Sequence, residues 1–169
     1  MANPTSIIAI DPGPETSAVL LLASQIITPL PPGDEVPNAD VLNYLGLTGA
    51  VTSIHRQSLL AIEGIACYGM PVGRETFDTC VWIGRFWQAY GAATLIYRKD
   101  IKLHLCGQAR AKDPHIRQAL IDRFGPGKER AIGTKAAPGP LYGIKSHLWS
   151  ALAVAITAKD QIAALEGGE

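Results

Sequence analysis

Apolar positions fall into short β-branched runs near the N-terminus and into helical spacing towards the C-terminus. Residues 6–10 (SIIAI) meet Asp11-Pro12-Gly13 at once, the pattern of a buried strand that ends in a turn. Residues 17–23 and 25–28 predict a second and a third strand, and Pro29, Pro31, Pro32 and Gly33 stop further pairing. The chain therefore opens as a β-meander. Asp40 is placed to cap a helix that runs through Val41, Leu42, Leu45, Leu47 and Val51 to about Ile54, with Gly46 and Gly49 weakening its middle. Residues 59–65 repeat the apolar strand pattern, interrupted by Glu63, and a Gly- and Pro-containing loop spans 64–73. Residues 75–90 space Phe77, Val81, Trp82, Phe86 and Tyr90 as one helical face, and 93–97 form a fifth strand. Residues 104–110 are ambiguous. Residues 113–124 bring Ile116, Leu120, Ile121 and Phe124 together on a helix that Gly125-Pro126-Gly127 ends. Residues 127–143 read as a mobile loop. A core helix begins near Ser146, with Leu148, Trp149, Leu152, Ala155 and Ile156 in register. Strands first, then strands alternating with helices, predict an α/β domain: a mixed five-stranded sheet with an antiparallel first meander and helices on both faces.

Composition narrows this only a little. A length of 169 residues suits one domain, and 47% hydrophobic with 18% charged residues excludes a disordered chain. No stretch approaches about 18 unbroken apolar residues, and MANPTS lacks the basic and apolar regions of a signal peptide, so a cytoplasmic protein without a membrane partner is expected. Cys67, Cys80 and Cys106 are odd in number and lack the close Cys or His pairs of a zinc site, and are expected to be buried structural thiols. The net charge of zero hides an uneven distribution. Ahead of Arg98 the chain is acidic, whereas residues 98–135 are rich in Lys and Arg. Taken alone, the basic stretch reads equally as a solvated helix face or as a surface for an anionic partner.

Three residues invite chemistry. Asp11 at a strand's carboxyl edge either starts a turn or serves a metal or phosphate site. Glu63 inside LLAIEGI is costly to bury unpaired, so it faces solvent, meets a cation or binds a metal. His147 and Ser150 share one face at the start of the last helix, where a His is either a surface and capping residue or a ligand. Two carboxylates and one imidazole make an oxygen-rich set suited to Mg²⁺ or Mn²⁺ at a phosphodiester.

The motifs carry a family resemblance between about Ile7 and Thr157. IIAIDPGPETSAVLLL resembles the opening of the RuvC family of Holliday-junction resolvases, an RNase H-like fold, and LAIEGI resembles its second motif. IKLHLCGQARAKDPHIRQAL is similar to the basic segment ahead of the last motif, which HLWSALAVAIT matches. The resemblance implies a Mg²⁺- or Mn²⁺-dependent endonuclease acting on four-way DNA junctions as a symmetric dimer, with Asp11, Glu63 and His147 as metal ligands. Ser150 stands at the fourth catalytic position, where the family usually has Asp. Three outcomes follow from that departure: one ion suffices, with or without a second held through water and DNA phosphates; another carboxylate such as Asp113 or Asp78 reaches the site; or activity is lost, leaving a junction-binding protein. The resemblance also implies DNA contacts from the loop after Glu63, through Tyr68 or Met70, and phosphate contacts from Arg110, Lys112 and Arg117. Phe77, Trp82, Phe86 and Trp87 are read as core or dimer-interface residues. A nucleotide-binding ATPase of the actin-like class shares the opening topology but would need a second phosphate-binding glycine loop, which this chain does not supply in matching form.

Overall fold

A computed structural model describes residues 6–51 and 58–167. Five strands make the main sheet: β1 (Ser6–Pro12), β2 (Thr16–Ala23), β3 (Ile26–Pro29), β5 (Ser58–Gly64) and β6 (Thr94–Tyr97), in the order β3-β2-β1-β5-β6. β1, β2 and β3 pair antiparallel, while β1, β5 and β6 run parallel, as the meander and the later alternation predict. A sixth strand, β4 (Val36–Pro37), pairs with the start of β2. Two residues give no periodic signal, so this extension of the meander is invisible in the sequence.

Period-two alternation sends the two sheet faces into two separate cores. Ile8 and Ile10 of β1, with Leu60 and Ile62 of β5, pack under α1 (Asn38–Val51) and α2 (Arg74–Tyr90) through Val41, Leu45, Ile83 and Phe86. Ile7, Ala9 and Ala61 face the other way. There they meet α6 (Leu148–Glu166), with α3 (Arg98–Cys106) and α4 (Asp113–Phe124) contributing Ile101, Ile116, Leu120 and Ile121. Helices thus cover both faces, as expected. α6 is the most deeply seated: residues 151–156 are fully or almost fully buried, their small alanines letting the helix lie close to β1, β2 and β5. Its segment Leu148–Leu165 has a mean hydropathy of 1.2, enough in composition to cross a membrane, but that apolar surface is spent on the sheet.

Several details depart from the sequence reading. α1 begins at Asn38 rather than beside Asp40, which lies in its first turn, and the expected end near Ile54 falls outside the described residues. The α2 face is split. Phe86 is buried, Trp82 and Tyr90 are partly so, but Phe77 and Val81 are 62% and 60% exposed while Ile83 takes their place in the core. Two apolar stripes share that helix, and periodicity cannot say which one faces inward. Residues 98–106 form α3, so the ambiguous stretch is helical at its start. The expected mobile loop is structured: α5 (Lys128–Ala131) is followed by a bridge between Gly133 and Pro138, and Leu141 N–H donates to Ala131 O at 2.8 Å. Its buried Ala131 and Leu141 anchor it to the α6 core, which a Gly- and Pro-rich composition concealed. Cys67 and Cys80 are exposed and Cys106 is half-buried, correcting the reading of all three as buried; the loop after β5 and the outer face of α2 hold the first two.

The β1–β2 turn is pinned by polar contacts from α1. Fully buried Asn38 donates through Nδ2 to Gly13 O at 2.9 Å and accepts from Ser17 Oγ at 2.6 Å. A Cβ at Gly13 would come within 2.4 Å of Thr16 O, so only glycine lets the chain fold back this tightly behind Asp11.

Candidate active site

The parallel register aligns Ile10 with Ile62, and one further step places Asp11 beside Glu63 at the carboxyl edge of adjoining strands. Both side chains share the sheet face of Ala9 and Ala61, the face covered by α6. The N-terminus of α6 arrives at the same edge, bringing its partial positive charge. His147, at the N-cap, sets Nδ1 at 3.0 Å from Oδ2 of Asp11, and Ser146 before it turns the chain with a φ of 41°. Asp11, Glu63 and His147 thus reach one edge from three separate segments, and Ser150 follows three residues after His147 in α6.

Two residues that reading did not single out complete the group. Arg98, the first residue of α3, sets Nη1 at 3.5 Å from Oε2 of Glu63 and donates to Ser150 Oγ at 3.4 Å, while Nη2 pairs with Asp113. Its position follows from β6: Glu63 pairs in register with Ile96, two residues before it. A Cβ at Gly64 would meet the Tyr97 ring at 2.8 Å, so this glycine lets the β6–α3 junction approach the end of β5. Glu35 lies on the other side, with Oε1 3.9 Å from His147 Nε2 and accepting from Thr16 Oγ1 at 3.3 Å. Of the carboxylates considered as substitutes for a fourth acid, Asp113 reaches the group through Arg98, whereas Asp78 pairs with Arg74 on α2.

The electrostatics follow from burial. Glu63 is pushed up to about 7, first because burial disfavours its charge and then because Asp11 stands beside it, with Arg98 opposing. Burial likewise raises Asp11, against the pull of its hydrogen bond to His147 and the charges of His147 and Arg98. Burial draws His147 down, but the hydrogen bond and charge of Asp11, reinforced by Glu35 and Glu63, outweigh it and raise the imidazole.

Whether this set fits a divalent ion turns on its donors. Oε2 of Glu63 is buried and makes no hydrogen bond, a carboxylate oxygen kept dry beside a second carboxylate. Such a pair, open to a cleft of about 250 Å³ lined by Asp11, Glu63 and Arg98, fits a hard cation. Among the described residues no three His, Cys, Asp or Glu side chains form a ready cage; His147 sets its Nδ1 against Asp11.

Of the residues expected to meet DNA, Tyr68 and Arg117 line clefts that adjoin the group. Tyr68 is 67% exposed in the loop after β5, at a φ of 43°, and shares a cleft of about 480 Å³ with Arg98, Lys99 and Lys102. Arg117 lies with its guanidinium carbon 4.6 Å from the centre of the Trp149 ring, lining a second cleft with Ser146, His147 and Ser150. Lys112 and Arg110 are exposed nearby in sequence, the former at the N-cap of α4. Lys99 and Lys102 went unnoticed as individual residues because a Lys-rich helix face carries no positional signal.

Comparisons place the fold. No protein-family model matches the chain, and no curated protein matches it in sequence. Among solved structures it is similar to Thermus thermophilus RuvC in complex with a Holliday junction substrate, at 18% identity and a TM-score of 0.59, covering 94% of each chain. It is also similar to a second structure of Thermus thermophilus RuvC, at 19% identity and a TM-score of 0.58, covering 90% of this chain and 92% of that one. The chain has the RuvC form of the RNase H-like fold.

Raised values for Glu63, Asp11 and His147 all act in one direction. In each case the folded state holds its proton to higher pH than the unfolded state does, so stability falls as pH rises through the window between the ordinary value and the raised one. For Glu63 that window runs from 4.5 to about 7. The protein in EDTA should therefore lose on the order of 1–3 kcal/mol between pH 5 and pH 8. Glu63→Gln should remove most of that loss. Asp160, lowered by Arg123 and His104 against the opposing effect of burial, acts only at the acid end, below its ordinary value. Urea melts at the two pH values check this; a pH-independent midpoint, or Glu63→Gln less stable than the parent at pH 8, contradicts it.

Proposed function

We propose that this protein is a divalent-metal-dependent endonuclease that hydrolyses phosphodiester bonds of branched DNA, with the four-way junction as its substrate. The observation that carries the reading is the buried Asp11–Glu63 pair at a sheet edge flanked by basic side chains. The likeness to a RuvC seen in complex with a Holliday junction supports the choice of substrate.

Asp11 and Glu63 would hold Mg²⁺ or Mn²⁺, with His147 as third ligand. When bound, the ion supplies Lewis acidity towards a phosphoryl oxygen and an activated water at neutral pH. The chain's own groups do the rest. His147 contacts Asp11 through Nδ1 and stands 3.9 Å from Glu35 through Nε2, so as the third ligand it would give up one of these contacts to the ion. Arg98 offsets the charge of Glu63. Tyr68 offers an exposed ring for stacking on an unpaired base, and Lys99 and Lys102 beside it meet phosphates. Arg117 stacks over Trp149 next to Ser150, and Arg110 and Lys112 would extend the phosphate track.

The reading includes a homodimer. Phe77 and Val81, one turn apart, leave an exposed apolar patch on α2, with Trp87 exposed on another flank of the helix. A second copy pairing there would give two sites for the two strands a junction resolvase must cut. Phe77→Asp combined with Val81→Asp should convert a dimer to a monomer in light scattering; a monomeric parent chain contradicts this.

A labelled four-way junction tests the activity. In Mg²⁺ or Mn²⁺ the parent chain should cut it, and Asp11→Asn, losing several kcal/mol of metal-mediated stabilisation, should cut on the order of 100-fold more slowly or worse. Junction binding without metal-dependent cutting would instead identify a binding protein of this fold.

A further inference from the structure

We infer that Arg98 is the resident cation of this site: its guanidinium takes the electrostatic place of a second divalent ion, so that the site binds one ion and not two. The inference rests on the metal site proposed above and concerns its composition.

The contacts are specific. One guanidinium nitrogen lies 3.5 Å from Glu63 Oε2 and 3.4 Å from Ser150 Oγ, and another pairs with Asp113. These groups come from β5, α6 and α4, so the arginine joins three elements at the catalytic edge. Its side chain is only 27% exposed. A guanidinium stays charged at every relevant pH and offers five donors in a planar fork, which suits several oxygen acceptors at once.

Charge and shape point the same way. Any second divalent ion held between Glu63 and residue 150 would stand beside a permanent positive charge, and like charges at such separations in a partly buried site repel by several kcal/mol at an effective dielectric near 20. Ser150 is small and neutral, giving the guanidinium a hydroxyl to donate to without adding a negative charge that only another cation would balance. Asp113, 76% exposed, is engaged by the same arginine and so is not available to replace the missing acid. A surface ion pair between Arg98 and Asp113 alone would not explain why the other nitrogen is aimed at Glu63 and Ser150.

Counting bound Mn²⁺ on the full chain by calorimetric titration and electron paramagnetic resonance tests this without reference to cutting. The parent chain and Arg98→Lys should bind one ion, and Arg98→Met, with Glu63 and Asp113 released, should bind two. Ser150→Asp with Arg98 in place should still bind one, because the new carboxylate pairs with the guanidinium; this arm stands even if Arg98→Met does not fold. Two ions in the parent chain or in Ser150→Asp, or one in a folded Arg98→Met, would overturn the inference while leaving the metal site intact. No Mn²⁺ in any of these chains would overturn the metal site and the inference together. One ion in the parent chain without junction cutting would remove the nuclease reading and leave the role of Arg98 supported.

Discussion

Two largely buried carboxylates held side by side are the constraint to which the rest of this protein answers. The register of β1 against β5 makes Asp11 and Glu63 neighbours, and Asp11 raises the proton affinity of Glu63 on top of the desolvation both suffer. An ionised carboxylate in such surroundings is unstable unless positive charge is brought to it. The fold brings it from two directions: α6 supplies its N-terminus and His147 to Asp11, and the β6–α3 junction supplies Arg98 to Glu63. Asn38 and Ser17, both buried, hold the turn behind Asp11 so that this alignment is not lost to a loose hairpin. Glu63 Oε2 makes no hydrogen bond and has the Arg98 guanidinium 3.5 Å away, beyond hydrogen-bond range, as its cation, and that incomplete compensation is the physical basis of the functional reading.

What the sequence made legible was whatever leaves a local signature. β1, β2 and β5 stood out because buried strands need unbroken apolar runs, and α4 was legible to its ends because Pro114 and Gly125 punctuate it. Asp11 and Glu63 were legible because a carboxylate inside an apolar run contradicts its surroundings, and His147 because the motif around it resembles a known one. Arg98 and Glu35 were not. Their partners lie up to 112 residues away for Glu35 and His147, and a polar contact over such a separation leaves no periodicity in either segment. The split face of α2 is a different failure: Phe86 is buried as read, but Phe77 and Val81 are as apolar as Ile83, and only the position of the sheet decides which of them is buried.

The neutral overall charge, which at first argues against a nucleic-acid partner, is the sum of two opposed regions that the fold keeps distinct. Some of the basic stretch is consumed internally: Arg98 at the carboxylates, and Arg123 in a paired contact to Asp160 that His104 completes. Of the rest, Lys99, Lys102 and Arg117 line clefts shared with Arg98, His147 or Ser150, and Arg110 and Lys112 are exposed. The proposed site, which would attract both a phosphate backbone and a cation, would need such a separation, because mixing the two charges would satisfy them against each other. Ser150 belongs to the same logic, a neutral position where a third carboxylate would draw Arg98 away from Glu63.

The central claim, that the Asp11–Glu63 pair is a cation site, is tested most directly by anomalous diffraction from a crystal soaked in Mn²⁺. The account predicts a peak within coordination distance of both carboxylates, about 2.0–2.6 Å for hard divalent ions. A soaked crystal in which Mn²⁺ is bound elsewhere and these two side chains contact only His147 and Arg98 would contradict it.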